Sequence, residues 1–219
     1  MLEGGEGETM AYLFDDELRG AIEARLRAFP REGLHDGALK RAAVAITVVP
    51  HEGPHGPGAG FLLTRRAPKM NAHAGQWALP GGRLDEGEDA LEAALRELRE
   101  EVALDLAPTQ VLGMLDDYPT RSGYLITPVV VWAADTRAMK PNPGEVQSIH
   151  PFPLEELTRE DSPVFLEIPE SERPVIRLPL GEDHIHAPTA AVLYQFGEVG
   201  LRGRATRVAH LEQPVWAWR

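Results

Sequence analysis

Gly81-Gly82-Arg83-Leu84-Asp85-Glu86-Gly87-Glu88, running on to Arg96-Glu97-Leu98-Arg99-Glu100-Glu101, is the stretch on which the fold and the chemistry of this 219-residue chain turn. Leu91, Leu95, Leu98 and Val102 recur at steps of three and four, which predicts a helix over residues 87–102 with one apolar stripe facing a core. Glu97, Glu100 and Glu101 are related by i, i+3 and i+4, so their carboxylates project from neighbouring places on another face. Like charges so placed destabilise an isolated helix by roughly 0.2–0.5 kcal/mol per pair. A divalent cation reverses that penalty. Mg²⁺ takes oxygen ligands, keeps several waters, and commonly uses one or two carboxylates together with substrate phosphates. The glycine pair ahead of the helix lets backbone approach the same ion, or a phosphate, closely. The plainer alternative for such a helix is a solvated acidic face.

Working outward, Ala42 to Val49 is a short apolar run rich in β-branched residues, which predicts a buried strand. Residues 51–58, with His51 and His55 among glycines and prolines, read as a turn-rich loop, and Phe61–Thr64 as the return strand. Further strands are expected over 110–115 and 125–133. A first helix starts near Asp15, because Leu18, Ile22, Leu26 and Phe29 keep helical spacing and Pro30 stops the run. This helix is expected to pack on the outside of the domain. After Pro151 come a short helix at 154–158, an extended stretch near Phe165 and a helix over 188–196. No internal repeat or linker is visible. The mixture lacks a regular βαβ rhythm and predicts an α+β fold, a mixed sheet sandwiched between helices. Residues 1–10, rich in Gly and Glu, are expected to be a flexible terminus. Residues 11–219 then form one domain with an N-terminal helix and a C-terminal extension.

Composition narrows the function classes. With 22 Lys+Arg against 34 Asp+Glu the formal charge is −12, which argues against a non-specific nucleic-acid binder. Apolar residues at 43% and charged residues at 26% are ordinary globular usage. No apolar run approaches the roughly 20 residues that span a bilayer, and the first residues do not resemble a signal peptide. There are no cysteines, hence no disulfides, thiolate metal sites or thiol catalysis. A soluble, cytoplasmic protein without a membrane or nucleic-acid partner is expected.

The segment from Gly82 to Leu104 resembles the Nudix signature, G-x5-E-x7-R-E-U-x-E-E-x-G-U, where U is aliphatic. Gly82, Glu88, Arg96, Glu97, Leu98, Glu100, Glu101 and Leu104 all match. Ala103 stands where the signature has glycine; in a left-handed conformation an alanine there costs roughly 1 kcal/mol. The resemblance implies Mg²⁺- or Mn²⁺-dependent hydrolysis of a nucleoside diphosphate joined to another group. It implies Glu97 and Glu101 as principal metal ligands, Glu100 as a further ligand or base, and the Gly82 carbonyl as a backbone ligand. Arg96 and Glu88 resemble the orienting pair of the family, in which a guanidinium fork holds a carboxylate.

Upstream, Leu62-Leu63-Thr64, Arg66-Ala67, Gly75 and Pro80-Gly81-Gly82 resemble the narrower pattern of the coenzyme A pyrophosphatases within that family, L-L-T-x-R-[SA]-x3-R-x3-G-x3-F-P-G-G. Asn71 replaces its second arginine and Leu79 its phenylalanine. Residues 115–123 (LDDYPTRSG), 126–130 and 144–146 also look like that subgroup. The implied reaction splits coenzyme A or an acyl derivative into 3′,5′-ADP and (acyl-)4′-phosphopantetheine. Alternatives are the same chemistry on ADP-ribose or a dinucleotide, or a catalytically silent module that binds nucleotide or a partner protein. Arg65, Arg66 and Lys69 form a basic cluster suited to an anionic ligand, or ordinary surface charge. With Asn71 and Gly81 they are the candidate substrate-binding set; His73 reads as a loop histidine without a catalytic task, with a phosphate contact as its alternative. Glu145 is a candidate distal base or extra ligand. His184 and His186 have an H-x-H spacing compatible with a metal on a strand, though no third ligand is evident. Trp216 and Trp218 alternate like one face of a strand, suiting packing or a contact with a second copy in a homodimer more than stacking on a base.

Overall fold

The computed structural model describes residues 12–34, 36–53, 56–68 and 75–218. The flexible-terminus expectation for residues 1–10, His55 of the turn-rich loop, and the candidates Lys69, Asn71 and His73 lie outside the described residues. The first helix, α1, runs Asp16–Ala28; Asp15 caps it by accepting from the Leu18 N–H. Ile22 and Leu26 point into the core, so the helix forms an outer layer with one buried face.

The central sheet explains the apolar runs. β1 (Lys40–Gly53) lies antiparallel to β2 (Gly56–Arg66) and parallel to β7 (Tyr124–Trp132). β5 (Val111–Met114) and β6 (Tyr118–Pro119) pair antiparallel with β7. β2 also carries β3 (Trp77–Ala78) and β8 (Val146–Pro153), and β4 (Gly81–Arg83) hangs on β1. Side chains along a strand alternate between faces. On β1, Ile46 and Val48 join a core with α1 and α3 (Thr189–Phe196), whereas Ala43, Ala45 and Val49 face α2 (Ala90–Val102). Phe61 and Leu63 divide from Leu62, and Val130 and Trp132 from Val129 and Val131, in the same way. Both faces are covered, so the strands are apolar throughout instead of alternating. This is the α+β sandwich expected from the sequence.

Three elements differ from expectation. Residues 51–53 and 56–58, read as loop, extend the β1–β2 hairpin, with Glu52 opposite Pro57 and Gly53 opposite Gly56. Ladder pairing at the tip accommodates the prolines and glycines. β8, and a second sheet of β9 (Val164–Ile168), β10 (Ser171–Leu180) and β11 (Asp183–His186), include three strands that the pattern did not reveal. Trp216 and Trp218 lie on a 3₁₀ turn, Val215–Trp218, and not on a strand. Among the described residues, no helix is long and apolar enough to cross a membrane.

Candidate active site

Helix α2 is fixed at both ends. Asp89 accepts from the Glu92 N–H at 2.9 Å, and Glu92 accepts from the Asp89 N–H at 2.9 Å, a reciprocal cap. At the other end Ala103 adopts φ 58°, ψ 30°, the left-handed conformation for which the signature keeps glycine. Ala90, Ala93 and Ala94 on the helix meet Ala43 and Ala45 on β1, and these small side chains bring the helix close to the sheet.

Closeness matters at Gly82. A Cβ there would stand 2.1 Å from Glu97 Oε1, so only glycine lets that carboxylate lie against the β4 backbone. Arg96 holds the arrangement: its Nε and Nη2 donate to the two Glu88 oxygens at 2.9 and 3.0 Å. Nη1 donates to Glu97 at 2.8 Å and to Glu100 at 3.3 Å, and Nη2 also reaches the Arg83 carbonyl at 2.9 Å. The Arg96 hydrogen bond keeps Glu88 below the usual carboxylate range, and Glu88 in turn raises Arg96.

Glu97 and Glu101 are buried, at 8% and 5% exposure. Burial pushes Glu97 up, with Glu100 and Glu145 adding to the shift against Arg96. Burial, then the Glu97 charge, pushes Glu101 up to about 8, with Glu145 adding; Arg66 and the Gly81 N–H pull the other way. Glu145, far along the chain, therefore acts on both carboxylates. Its segment is tied to β2, since the Ala67 N–H donates to the Glu145 carbonyl at 2.8 Å. Glu100 is half-exposed.

These donors fit a hard divalent cation. Two oxygen-ligand carboxylates lie where burial and mutual repulsion penalise their charge, and a positive ion removes that penalty. Among the described residues no three acidic or imidazole side chains converge as a ready-made cage. Mg²⁺ does not need one, because water and substrate phosphates commonly complete its shell.

Beside this centre lies a cavity of about 770 Å³, within the usual size for a small-molecule site. Its wall includes Gly81, Gly82, Arg65 and Arg66, whereas the α2 carboxylates do not line it; the glycine backbone is the boundary the two share. Arg65 is engaged: its guanidinium stacks on Trp77 at 3.7 Å, donates to the Gly75 carbonyl at 2.6 Å and pairs with Asp183 on β11. Trp77 Nε1 donates to the same Asp183 at 3.1 Å. Arg66 differs, for its buried Nε has no partner among the described residues. On another wall Arg83 Nε donates to the Tyr124 hydroxyl at 3.0 Å. Trp77, Arg83, Tyr124 and Asp183 were not among the sequence-derived candidates. Arg83, next to the glycine pair, carried the one local signal; the others reach the cavity only through tertiary pairing.

The cavity's far wall comes from the C-terminal region: His184 and His186 on β11, Gln213 and Trp216. Residues 116–121 secure it. Asp116 accepts from Arg207 at 2.6 and 2.8 Å and from Gln195 at 2.7 Å. The Tyr118 hydroxyl donates to the Leu211 carbonyl at 3.0 Å, and Arg121 pairs with Glu212 at 2.5 Å. The subgroup-like LDDYPTR stretch is thus a clamp on the chain's end.

Comparison with known proteins agrees with this architecture. The NUDIX domain profile matches residues 39–177. The Nudix hydrolase NudL of Pectobacterium atrosepticum, itself uncharacterized, is 36% identical over 160 residues, covering 71% of this chain and 80% of the relative. NudL of Yersinia enterocolitica is 36% identical over 140 residues, covering 64% of this chain and 69% of its own. A MutT/nudix family protein from Enterococcus faecalis superposes with a TM-score of 0.53 at 18% identity, a likeness of fold. That superposition covers 77% of this chain and 65% of the enterococcal chain, just under two thirds.

Proposed function

This chain belongs to the Nudix hydrolase family, and on that premise we propose that it hydrolyses the pyrophosphate of coenzyme A or an acyl-coenzyme A. Water adds to one phosphorus and the bridging P–O bond breaks, giving 3′,5′-ADP and (acyl-)4′-phosphopantetheine. The observation that carries the hydrolytic reading is the buried pair Glu97 and Glu101 against the Gly81–Gly82 backbone, at the edge of a cavity fit for a small molecule. The choice of coenzyme A rests on the resemblance along residues 62–82.

In this proposal Glu97 and Glu101 hold Mg²⁺ or Mn²⁺, with Glu100 and the Gly82 carbonyl available to it. A divalent ion supplies charge neutralisation on the phosphate oxygens and lowers the pKa of a bound water. Arg96 works through its neighbours: it orients Glu97, and its fork on Glu88 fixes the turn into α2. Glu100, half-exposed, and Glu145 are the candidate carboxylates to take the proton of the attacking water. Arg66, which lines the cavity, brings positive charge to the anionic substrate; Arg65 shapes the same wall through Trp77 and Asp183.

A panel of coenzyme A, dephospho-coenzyme A, ADP-ribose and a diadenosine polyphosphate, with Mg²⁺ and with Mn²⁺ and read by product mass, tests this reading. Coenzyme A is expected to give the highest kcat/KM, yielding 3′,5′-ADP. Preference for ADP-ribose or the dinucleotide replaces the substrate, and no turnover with either metal replaces the enzyme by a silent binding module.

A further inference from the structure

The cavity is larger than a pyrophosphate requires, and its walls differ in character. At the Arg65 wall and the Arg83 wall each guanidinium is already stacked and hydrogen-bonded, to Trp77 with Asp183 and to Tyr124. The C-terminal wall is built of rings. The His186 ring meets Trp216 edge-on, with centroids 5.3 Å apart and planes at 89°, and His184 lies alongside at 6.3 Å. Trp216 is 49% exposed where it borders the cavity, and the buried His186 Nδ1 has no partner among the described residues. Among the described residues no third imidazole or carboxylate joins these two rings.

We propose that His184, His186 and Trp216 form the subsite for the aromatic base of the nucleoside. The proposal rests on the hydrolase reading above, which places the pyrophosphate at Gly81–Gly82 and leaves the nucleoside to fill the cavity. A nucleobase offers a flat π-face and uncharged hydrogen-bonding edges, and rings recognise it by stacking without much regard to sequence or sugar. Burial holds His186 below its ordinary value, so near neutral pH this ring presents an uncharged surface, suited to a base and poorly suited to a phosphate. All three residues lie beyond residue 177, outside the part of the chain that the NUDIX profile matches. Base recognition is therefore assigned to the C-terminal extension, and pyrophosphate chemistry to the common domain.

Titration calorimetry of the full chain in metal-free buffer tests this with AMP and ribose 5-phosphate, which share the phosphate and differ by the base. Wild type is expected to bind AMP at least tenfold more tightly. Trp216→Ala and His186→Ala should each weaken AMP by about tenfold and leave ribose 5-phosphate unchanged, and Trp216→Phe should restore most of the loss. A structural role alone would weaken both ligands together. In wild type, AMP but not ribose 5-phosphate should shift the Trp216 indole resonance, assigned from the Trp216→Phe spectrum, which keeps the test sound if an alanine variant unfolds. Equal affinities in wild type, a preference unchanged in the variants, or an unmoved indole overturns the subsite. Failure of the hydrolase reading is separate: it is absence of turnover on the diphosphate panel, which these binding measurements do not use.

Discussion

Glu97 and Glu101 on α2, and Asp116 and Asp117 ahead of β6, are two pairs of carboxylates buried to the same degree, all under 9% exposed. The fold treats them in opposite ways. Asp117 accepts from Arg31 at 2.5 Å, Thr127 at 2.7 Å and the Leu34 N–H at 2.9 Å, and Asp116 is saturated by Arg207, Gln195 and the Glu32 N–H. Nearby, burial would raise Glu212, yet Arg121, the Gln213 N–H and Ser171 hold it below the usual range. Glu97 shares one arginine with Glu88 and Glu100, and among the described residues no side chain hydrogen-bonds Glu101. Buried charges are normally paired. A pair left short of partners beside a cavity marks where a ligand completes the electrostatics, whereas a saturated pair marks architecture.

The sharpest break of this contrast is in turnover. Glu97→Gln and Glu101→Gln each remove a ligand charge, and each should lower kcat by orders of magnitude while the metal-free melting temperature holds or rises. Near-normal turnover in both would end the metal-ligand assignment. The saturated pair should respond in reverse. Asp117→Ala strands Arg31 and Thr127, and losing one partner of a buried pair costs about 3 kcal/mol. Urea unfolding should show that loss, with kcat of the folded fraction near wild type. A stable but inactive Asp117→Ala would blur the distinction between the two pairs.

Proton linkage gives a third, smaller test. Glu101 is raised from 4.5 to about 8 in the folded protein, so the native state binds its proton more tightly than the unfolded chain does. Rising pH between those values strips the native state of that advantage, and stability falls across the window. His150 and His186, held below their ordinary value by burial, act with the opposite sign near pH 6. The measurement is therefore the difference between wild type and Glu101→Gln, melted in EDTA from pH 5 to 8. Wild type should lose stability relative to the variant as pH rises, and saturating Mg²⁺ should cancel the difference. Parallel curves in EDTA would show that Glu101 is ionised without strain.

How legible each region was follows from the range of its interactions. The α2 stripe, the acidic face and the C-terminal end of the helix are set within a few residues, and the sequence displayed them; the start expected at 87 lies in the turn before the Asp89 cap, and the helix begins at Ala90. Apolar runs at 42–49 and 125–133 declared buried strands because both sheet faces are covered. Strands β8 and β10 hid themselves: prolines at 151, 153, 174 and 179 interrupt them, and polar residues break their alternation. Trp216 and Trp218 mimicked a strand by spacing, although Pro214 opens a tight turn there, with the Ala217 N–H donating to the Pro214 carbonyl. The stretch 115–123 was visible as a motif, but its partners Arg31, Arg207 and Glu212 are many tens of residues away. No local pattern announces such pairs. Trp77 and Asp183 entered the cavity wall for the same reason, through Arg65.

The smallest expected effect lies on the same helix as the unsatisfied carboxylates. Ala103 at φ 58° carries a Cβ in a conformation that costs an L-residue roughly 1–2 kcal/mol. The geometry is enforced by the Ala103 N–H on the Arg99 carbonyl at 3.2 Å and the Leu104 N–H on the Leu98 carbonyl at 3.1 Å, which close the helix. Ala103→Gly removes the strain but gives the unfolded chain more freedom, worth roughly 0.5–1 kcal/mol the other way. The net gain should stay below about 1 kcal/mol, a rise of roughly 2–4 °C at most for a chain of this size. Activity should not change, because the methyl group brings no chemistry to the site. A variant less stable than wild type would mean that the methyl packs more favourably than the strain it incurs. A variant with altered kcat would mean that the end of α2 adjusts Glu101 two residues before it. Strain would then belong with the carboxylates as part of the working site, and not with the ordinary imperfections of a stable fold.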